Sequence, residues 1–558
     1  MQTPNELGLD YPSWRESQEK AVEWLEQEEW LKGGGGVRGR VRVLEAPTGS
    51  GKTGIVLALA MRNEDKRFLI LCATKVEQEQ YLKNLIYEDD IASVRGKNNF
   101  HCSYKHPELE EDKENYRGER GERGERLSSS CSEYMCPYTH VNEAPCSSGF
   151  KCEVKNRGGC EYFNQLEKAQ SSRVVLTNYA YGLSMMNYVP KGGLGKFDVI
   201  IEDEGHVLDE ELEKFLLIRL SRRVVVRAFG VRMPFGEHDL VFWKDWVERY
   251  WDVLSEAGRR YHGVKKGEMN KDEVKDFMDV DRYLSWFKKI TTLDDNWVVE
   301  SDERSVSIQP IWVTDDSKDI LFDKSSNHII MSGTIPSPSE LGAKVGLGVK
   351  DFEFYRLPYT FPVENRPIIL KPEVSLKFQN VDVNLPKVVE LVDREIEKAL
   401  GKKVLIHTKT YKISKYLAEN SEWREYFYTH TTATRNNVLE EFKEASPPAV
   451  LCSPSFDKAI DLPGKQCELV VIVKVPYPYL GSKVMQARSK NRRYYLHETL
   501  MTIIQMAGRG VRSETDVCPT VILDDLGPKF FQQVRKMLPS GIKDAVEIQE
   551  RRGVLRST

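Results

Sequence analysis

The sequence predicts an α/β chain with two parallel-sheet domains, the first interrupted by two insertions. Three observations predict it. Short, mainly apolar stretches at 41–45, 68–73, 174–177, 198–201 and 328–331 read as strands, the continuous run at 68–73 as one covered on both faces. A second series at 403–406, 449–452, 469–475 and 520–523 repeats the pattern with helical stretches between. Finally, 558 residues are too many for one core, so three or four domains are expected.

Composition narrows the function classes. Hydrophobic residues at 40% and charged residues at 30% fit a globular chain in water. No apolar run is long enough to cross a bilayer and no charged-then-apolar leader opens the chain, so the expected location is the cytoplasm. The net charge of −4 supplies no global attraction to nucleic acid, so such a partner must meet a local basic surface. Six of the ten cysteines (Cys102, Cys131, Cys136, Cys146, Cys152 and Cys160) fall in one window, which is not the layout of a secreted disulfide framework.

In chain order, Arg15 and Gln18 open an amphipathic helix running through Trp24 and Leu25. A glutamine amide donates and accepts at once, which suits reading an adenine edge; an ordinary helix start is the alternative. The glycines at 33–36 form a flexible link into the strand at 41–45. That strand delivers Ala46-Pro47-Thr48-Gly49-Ser50-Gly51-Lys52-Thr53, after which 54–61 reads as a helix. A glycine-rich turn at a helix N-terminus presents backbone N–H groups to a polyphosphate. Lys52 then reaches the β- and γ-phosphates of ATP, and the Thr53 hydroxyl holds magnesium.

Thr74 and Lys75 follow the strand at 68–73, where open α/β sheets place ligand contacts; a helix N-cap at Thr74 accounts for the same residue. From residue 95 the character changes, and 110–126 is polar and low in complexity, ending in Gly-Glu-Arg repeats. The next strands carry the second decisive stretch. The run at 198–201 ends in Glu202-Asp203-Glu204-Gly205-His206, so two carboxylates stand at a strand terminus. Asp203 suits magnesium, and Glu204 suits orienting and deprotonating an attacking water.

Residues 208–322 read as a largely helical insertion, its aromatics Trp243, Trp246, Trp251, Tyr283 and Trp286 mostly core. Ser332-Gly333-Thr334 ends the strand at 328–331, and small hydroxyl residues there suit a relay to a second domain. Beyond the proline-containing stretch 359–367 the second domain shows no phosphate loop of its own. Near its end stand Gln505-Met506-Ala507-Gly508-Arg509-Gly510-Val511-Arg512. Read as a helix, this places Arg509 and Arg512 on one face, suited to stabilising charge on a γ-phosphate.

Taken together, the motif order resembles superfamily 2 helicases, and more closely the XPD/DinG group of iron–sulfur DNA helicases. Arg15 and Gln18, 46–53, Asp203 to His206, Met331 to Thr334, Val475-Pro476-Tyr477-Pro478 and 505–512 carry the resemblance. It implies two RecA-like motor domains: 1–95, 169–208 and 326–360 form the first, and 361–558 the second. A cluster domain at 96–168 and a helical arch at 209–325 are the insertions. It implies an ATP-dependent monomer that moves 5′ to 3′ on single-stranded DNA and opens forked duplexes, with Lys52, Asp203, Glu204, Gln505, Arg509 and Arg512 catalytic. It further implies a 4Fe–4S cluster, with Cys102 and Cys160 matching the outer ligands. Cys146 and Cys152 are the preferred middle pair, and Cys131 and Cys136 the alternative. Zinc suits four thiolates equally. An ATP-driven binding switch without unwinding, or RNA-containing substrates, would use the same motor motifs. The family's Trp-Glu-Gly is replaced here by Asp457-Lys458-Ala459, which puts the coupling role of that motif in question.

Overall fold

The computed structural model describes residues 2–31, 41–47, 49–86, 90–102, 159–189, 193–263, 271–456, 460, 462–549 and 555–557. They divide into two compact units, Met1–Arg62 with Asp203–His206 and Asn327–Thr558, and Asn63–Glu202 with Val207–Ser326.

In the first unit, the strand Val41–Glu45 lies parallel between Asn327–Ser332 and Phe352–Arg356. The register sets Glu45 beside Ser332 on one side and Arg356 on the other. The end of this strand is therefore where the phosphate loop, the Ser-Gly-Thr stretch and a basic residue meet. The helix Lys52–Arg62 follows, with 54–60 buried.

The same unit holds an eight-stranded sheet in the order Phe427–Tyr428, Ala449–Ser453, Lys403–His407, Leu469–Ile472, Thr520–Asp524, Ile368–Val374, Val546–Gln549, Leu555–Ser557. All neighbours are parallel except the last pair. Alternate residues feed two cores. Leu405, Leu451 and Ile522 pack with Phe442, Ile503 and Phe530 on one face. Ile406, Val450 and Val521 pack with Val388, Val392 and Leu417 on the other. Burial on both faces is why these strands read as mainly apolar stretches.

In the second unit, Phe68–Cys72 pairs in parallel with Val199–Glu202 and with Val174–Asn178, which also pairs with Ile91–Ser93. Thr74 is an N-cap, its hydroxyl accepting from Glu77 N. Residues 208–322 are largely helical, as read from the sequence, with a small sheet that the reading did not include. Beside the helices Leu240–Gly263 and Lys271–Ile290 stands an antiparallel sheet of Ile218–Ser221, Ser305–Pro310 and Trp297–Ser301. Asp302 makes its hairpin, with Oδ1 accepting from Arg304 N at 2.7 Å and Ser305 N at 2.6 Å. Trp243, Trp246 and Tyr283 are buried, as expected of core aromatics, while Trp251 stays exposed.

Candidate active site

The phosphate loop is shaped by two glycines in the left-handed region, Gly49 at φ +81° and Gly51 at φ +77°. A side chain at either would have to displace a neighbour. A Cβ on Gly49 would stand 2.0 Å from Phe361 Cζ, and one on Gly51 2.3 Å from Gln18 Nε2. The loop is tied at its base by Ala46 N donating to Ser332 O at 2.9 Å. Ser50 is fully buried, and its Oγ has no hydrogen-bond partner among the described residues. A glycine-shaped loop with an orphaned hydroxyl fits a polyphosphate. Thr48 lies outside the described residues.

Arg15 and Gln18 come to this loop from the helix Glu16–Leu25. Arg15 Nη1 donates to Gly49 O, and Gln18 Nε2 to Gly51 O at 3.3 Å, while Gln18 Oε1 accepts from Arg15 N at 2.9 Å. Both residues thus brace the loop's carbonyls.

Lys52 opens the helix behind the loop and forms an ion pair with Glu204 Oε1. The other carboxylate oxygen of Glu204 lies 3.2 Å from His206 Nδ1. Burial pushes the Glu204 carboxyl up, but the charges of Lys52 and then His206 outweigh it, and the net effect holds the group well below the usual carboxylate range. Glu204 sits at φ +49°, a conformation that costs a non-glycine residue roughly 1 kcal/mol or more and is common at active sites. Its backbone N–H donates to Asp203 Oδ1 at 2.8 Å, which fixes the Asp203 carboxylate against the Glu204 main chain. Asp203 is buried, and Thr53 lies in the first turn of the helix that Lys52 opens; these two oxygens are the candidates for magnesium.

His206 Nδ1 also lies 2.9 Å from Ser332 Oγ. That hydroxyl is held in turn, donating to Thr334 O at 3.2 Å and accepting from Thr334 N at 3.1 Å. At the loop's other edge, the buried Glu45 pairs with Arg356, which also donates to Ile335 O at 3.0 Å. Burial raises the Glu45 carboxyl above its ordinary range against the pull of Arg356.

The reading of 505–512 as a continuous helix fails. The helix Arg492–Ala507 ends after Gln505, and Arg509 and Arg512 stand in the turn beyond it, not on one helical face. Close packing requires this break. A Cβ on Gly510 would meet Cys518 Sγ at 2.3 Å and Cys467 O at 2.6 Å. Arg509 Nη1 donates to Ile460 O at 2.7 Å, and Asp516 Oδ2 accepts from Arg512 N and Ser513 N, each at 2.8 Å.

Of the expected cluster ligands, Cys102 and Cys160 are described, and Cys131, Cys136, Cys146 and Cys152 are not. Among the described residues no group of three or more His, Cys, Asp or Glu is placed to hold a metal. The two ends of the cysteine-rich stretch are laced together, however. Gln165 donates to Arg95 O at 2.7 Å and accepts from Arg95 N at 2.9 Å, and Phe100 packs edge-on to Tyr162. Asp457-Lys458-Ala459 also lies outside the described residues.

Phe361, Arg356 and the partners of Gln18 escaped the sequence reading. Nothing local to 356–361 marks it as lying against a loop three hundred residues earlier.

Comparison with known proteins agrees with this geometry. Residues 394–544 match the helicase C-terminal domain, and 12–225 match the type III restriction enzyme res subunit. The probable ATP-dependent helicase MJ0942 of Methanocaldococcus jannaschii is 23% identical over 92% of each chain. The ATP-dependent DNA helicase YoaA of Escherichia coli is 21% identical over 88% of each. A solved XPD helicase shares the fold with a TM-score of 0.59 at 17% identity, covering 94% of this chain and 98% of that one. These findings define a fold of two RecA-like parallel-sheet domains and make the chain similar to proteins named as ATP-dependent helicases. XPD structures and a DinG protein stand among these matches, the group that the motif order resembles.

Proposed function

We propose that this protein couples ATP hydrolysis to 5′-to-3′ movement along single-stranded DNA and to duplex separation, acting as a monomer. The observation that carries the reading is the Lys52–Glu204–His206–Ser332 chain of contacts beside the glycine-shaped loop. Backbone N–H groups of 46–53 and Lys52 bind the β- and γ-phosphates, with Thr53 and Asp203 holding magnesium. The γ-phosphate competes with Glu204 for Lys52. Released from that pair, Glu204 orients the attacking water and takes its proton. Gln505, Arg509 and Arg512 supply hydrogen bonds and positive charge as the transferred group develops negative charge. His206, bonded to Ser332, reports that event toward the neighbouring lobe.

The cluster at Cys102, Cys146, Cys152 and Cys160 supplies a rigid wedge where strands part. Its support is that Arg95 to Cys102 and Cys160 to Gln165, which bracket the cysteine-rich stretch, are held side by side.

Strand separation on 5′- and 3′-tailed DNA duplexes, with metal quantified in the same anaerobically purified sample, tests the reading. It expects opening of the 5′-tailed substrate and about four irons per chain. ATP hydrolysis without separation identifies a binding switch instead. A preference for RNA-containing duplexes overturns the DNA assignment, and stoichiometric zinc overturns the cluster.

A further inference from the structure

The short helix Pro338–Lys344 follows Ser332-Gly333-Thr334 by three residues and is capped by Ser337, whose hydroxyl accepts from Glu340 N. It docks on the helix Arg492–Ala507, which ends in Gln505 and the arginine turn. Two ion pairs fasten them: Lys344 with Glu498, and Arg493 with Glu340, with Arg493 Nη2 also 3.2 Å from Ser339 Oγ.

The two pairs differ in kind. Arg493 is more than half exposed, which makes its pair a rim contact of small consequence. The Lys344 side chain retains 5% exposure and that of Glu498 19%. Lys344 Nζ also lies 5.4 Å from the Tyr494 ring centre, and His497 Nδ1 3.2 Å from Glu498 Oε1. Burial pushes the Glu498 carboxyl up, yet Lys344 and then His497 bring it well below its ordinary range. Apolar residues of similar volume often replace a buried ion pair without loss of stability, so the pair suits fixing register better than adding strength.

Its position decides what that register controls. Glu498 and Gln505 are seven residues apart, two turns along one face, so the pair lies about 10 Å along the axis from Gln505. On the other side Lys344 is joined through its short helix to Ser332, which touches His206. We propose that Lys344 and Glu498 are positioning residues, the joint that sets where Gln505 and Arg509 stand when the carboxylates act. This rests on the motor reading above for its kinetic consequence, though not for its structural one.

The test compares Glu498→Gln, the apolar pair Lys344→Met with Glu498→Leu, and the swap Lys344→Glu with Glu498→Lys. Two readouts are taken: single-strand-stimulated ATP turnover and amide hydrogen exchange across 505–512. The apolar pair is expected to keep the thermal midpoint yet lower kcat about tenfold with KM for ATP within about twofold, a split that a merely structural role would not produce. The swap is expected to recover most of that loss. Exchange at 505–512 should rise in Glu498→Gln and the apolar pair and fall back in the swap. Wild-type kcat together with unchanged exchange in the apolar pair overturns the proposal, as does a loss that the swap leaves untouched. If the wild-type protein itself hydrolyses no ATP, the motor reading fails and the exchange measurement alone decides the joint.

Discussion

His206 Nδ1 and Ser332 Oγ are 2.9 Å apart, joining the acidic strand end to the Ser-Gly-Thr stretch of the neighbouring strand. The same ring nitrogen is 3.2 Å from Glu204, so one imidazole touches both the candidate water-activating carboxylate and the element leading to Lys344. Ser332→Ala removes one side of that arrangement at a cost of about 1 kcal/mol, too little to unfold the domain. The expected outcome is ATP turnover within a few-fold of wild type and a much larger loss of strand separation. Measuring both on one preparation checks this; parallel losses would mean the hydroxyl serves hydrolysis only.

Lys52 pairs with Glu204 in this geometry, and the proposed mechanism hands it from that pair to the phosphates. Lys52→Ala is expected to lower single-strand-stimulated ATP hydrolysis by ~10²-fold or more. Glu204→Gln should also stop turnover but leave nucleotide binding intact, because the amide cannot take a proton from water. Equilibrium binding of a fluorescent ATP analogue separates the two: weakened by the first substitution, retained by the second.

Gly51→Ala is predicted to damage the site without touching any charge. The backbone at φ +77° disfavours a Cβ by about 1–2 kcal/mol, and the new methyl would press on Gln18. Raised KM for ATP, by about tenfold or more, is the expected reading. A variant with wild-type KM would show that the loop does not hold the phosphates in this conformation.

How much of this was legible depends on how far apart the partners lie in sequence. The turn at 46–53 and the strand end at 203–206 were readable because each packs its chemistry into a few consecutive residues. Phe361 over Gly49 and Lys344 on Glu498 were not, since each joins segments more than 150 residues apart whose local patterns are ordinary. The arginine turn shows the converse error. Helical spacing from Gln505 onward suggested one face, but Gly508 and Gly510 end the helix, and Gly510 is held by its packing against Cys518, which local pattern does not reveal. The antiparallel sheet at 218–310 escaped because its strands are short and long helices separate the first from the hairpin of the other two.

His407 ends the strand Lys403–His407 fully enclosed, and neither ring nitrogen has a hydrogen-bond partner among the described residues. Burial, with some help from the charge of Arg509, pushes its pKa down to about 3. The folded protein therefore keeps the ring neutral, whereas the unfolded chain takes up a proton below its ordinary value of about 6.5. Between those values the unfolded state binds more protons, so stability falls as pH falls, and none of this loss operates above pH ~7. By pH 5 the loss from this residue alone reaches about 2 kcal/mol. His407→Leu removes the titration and gives up no hydrogen bond, so the variant should match wild type at neutral pH and outlast it at pH 5. Urea midpoints of both proteins across pH 5 to 8 decide the matter. Parallel curves would show that the ring is solvated or partnered in solution, while convergence at high pH and separation at low pH would locate the acid sensitivity at this strand end.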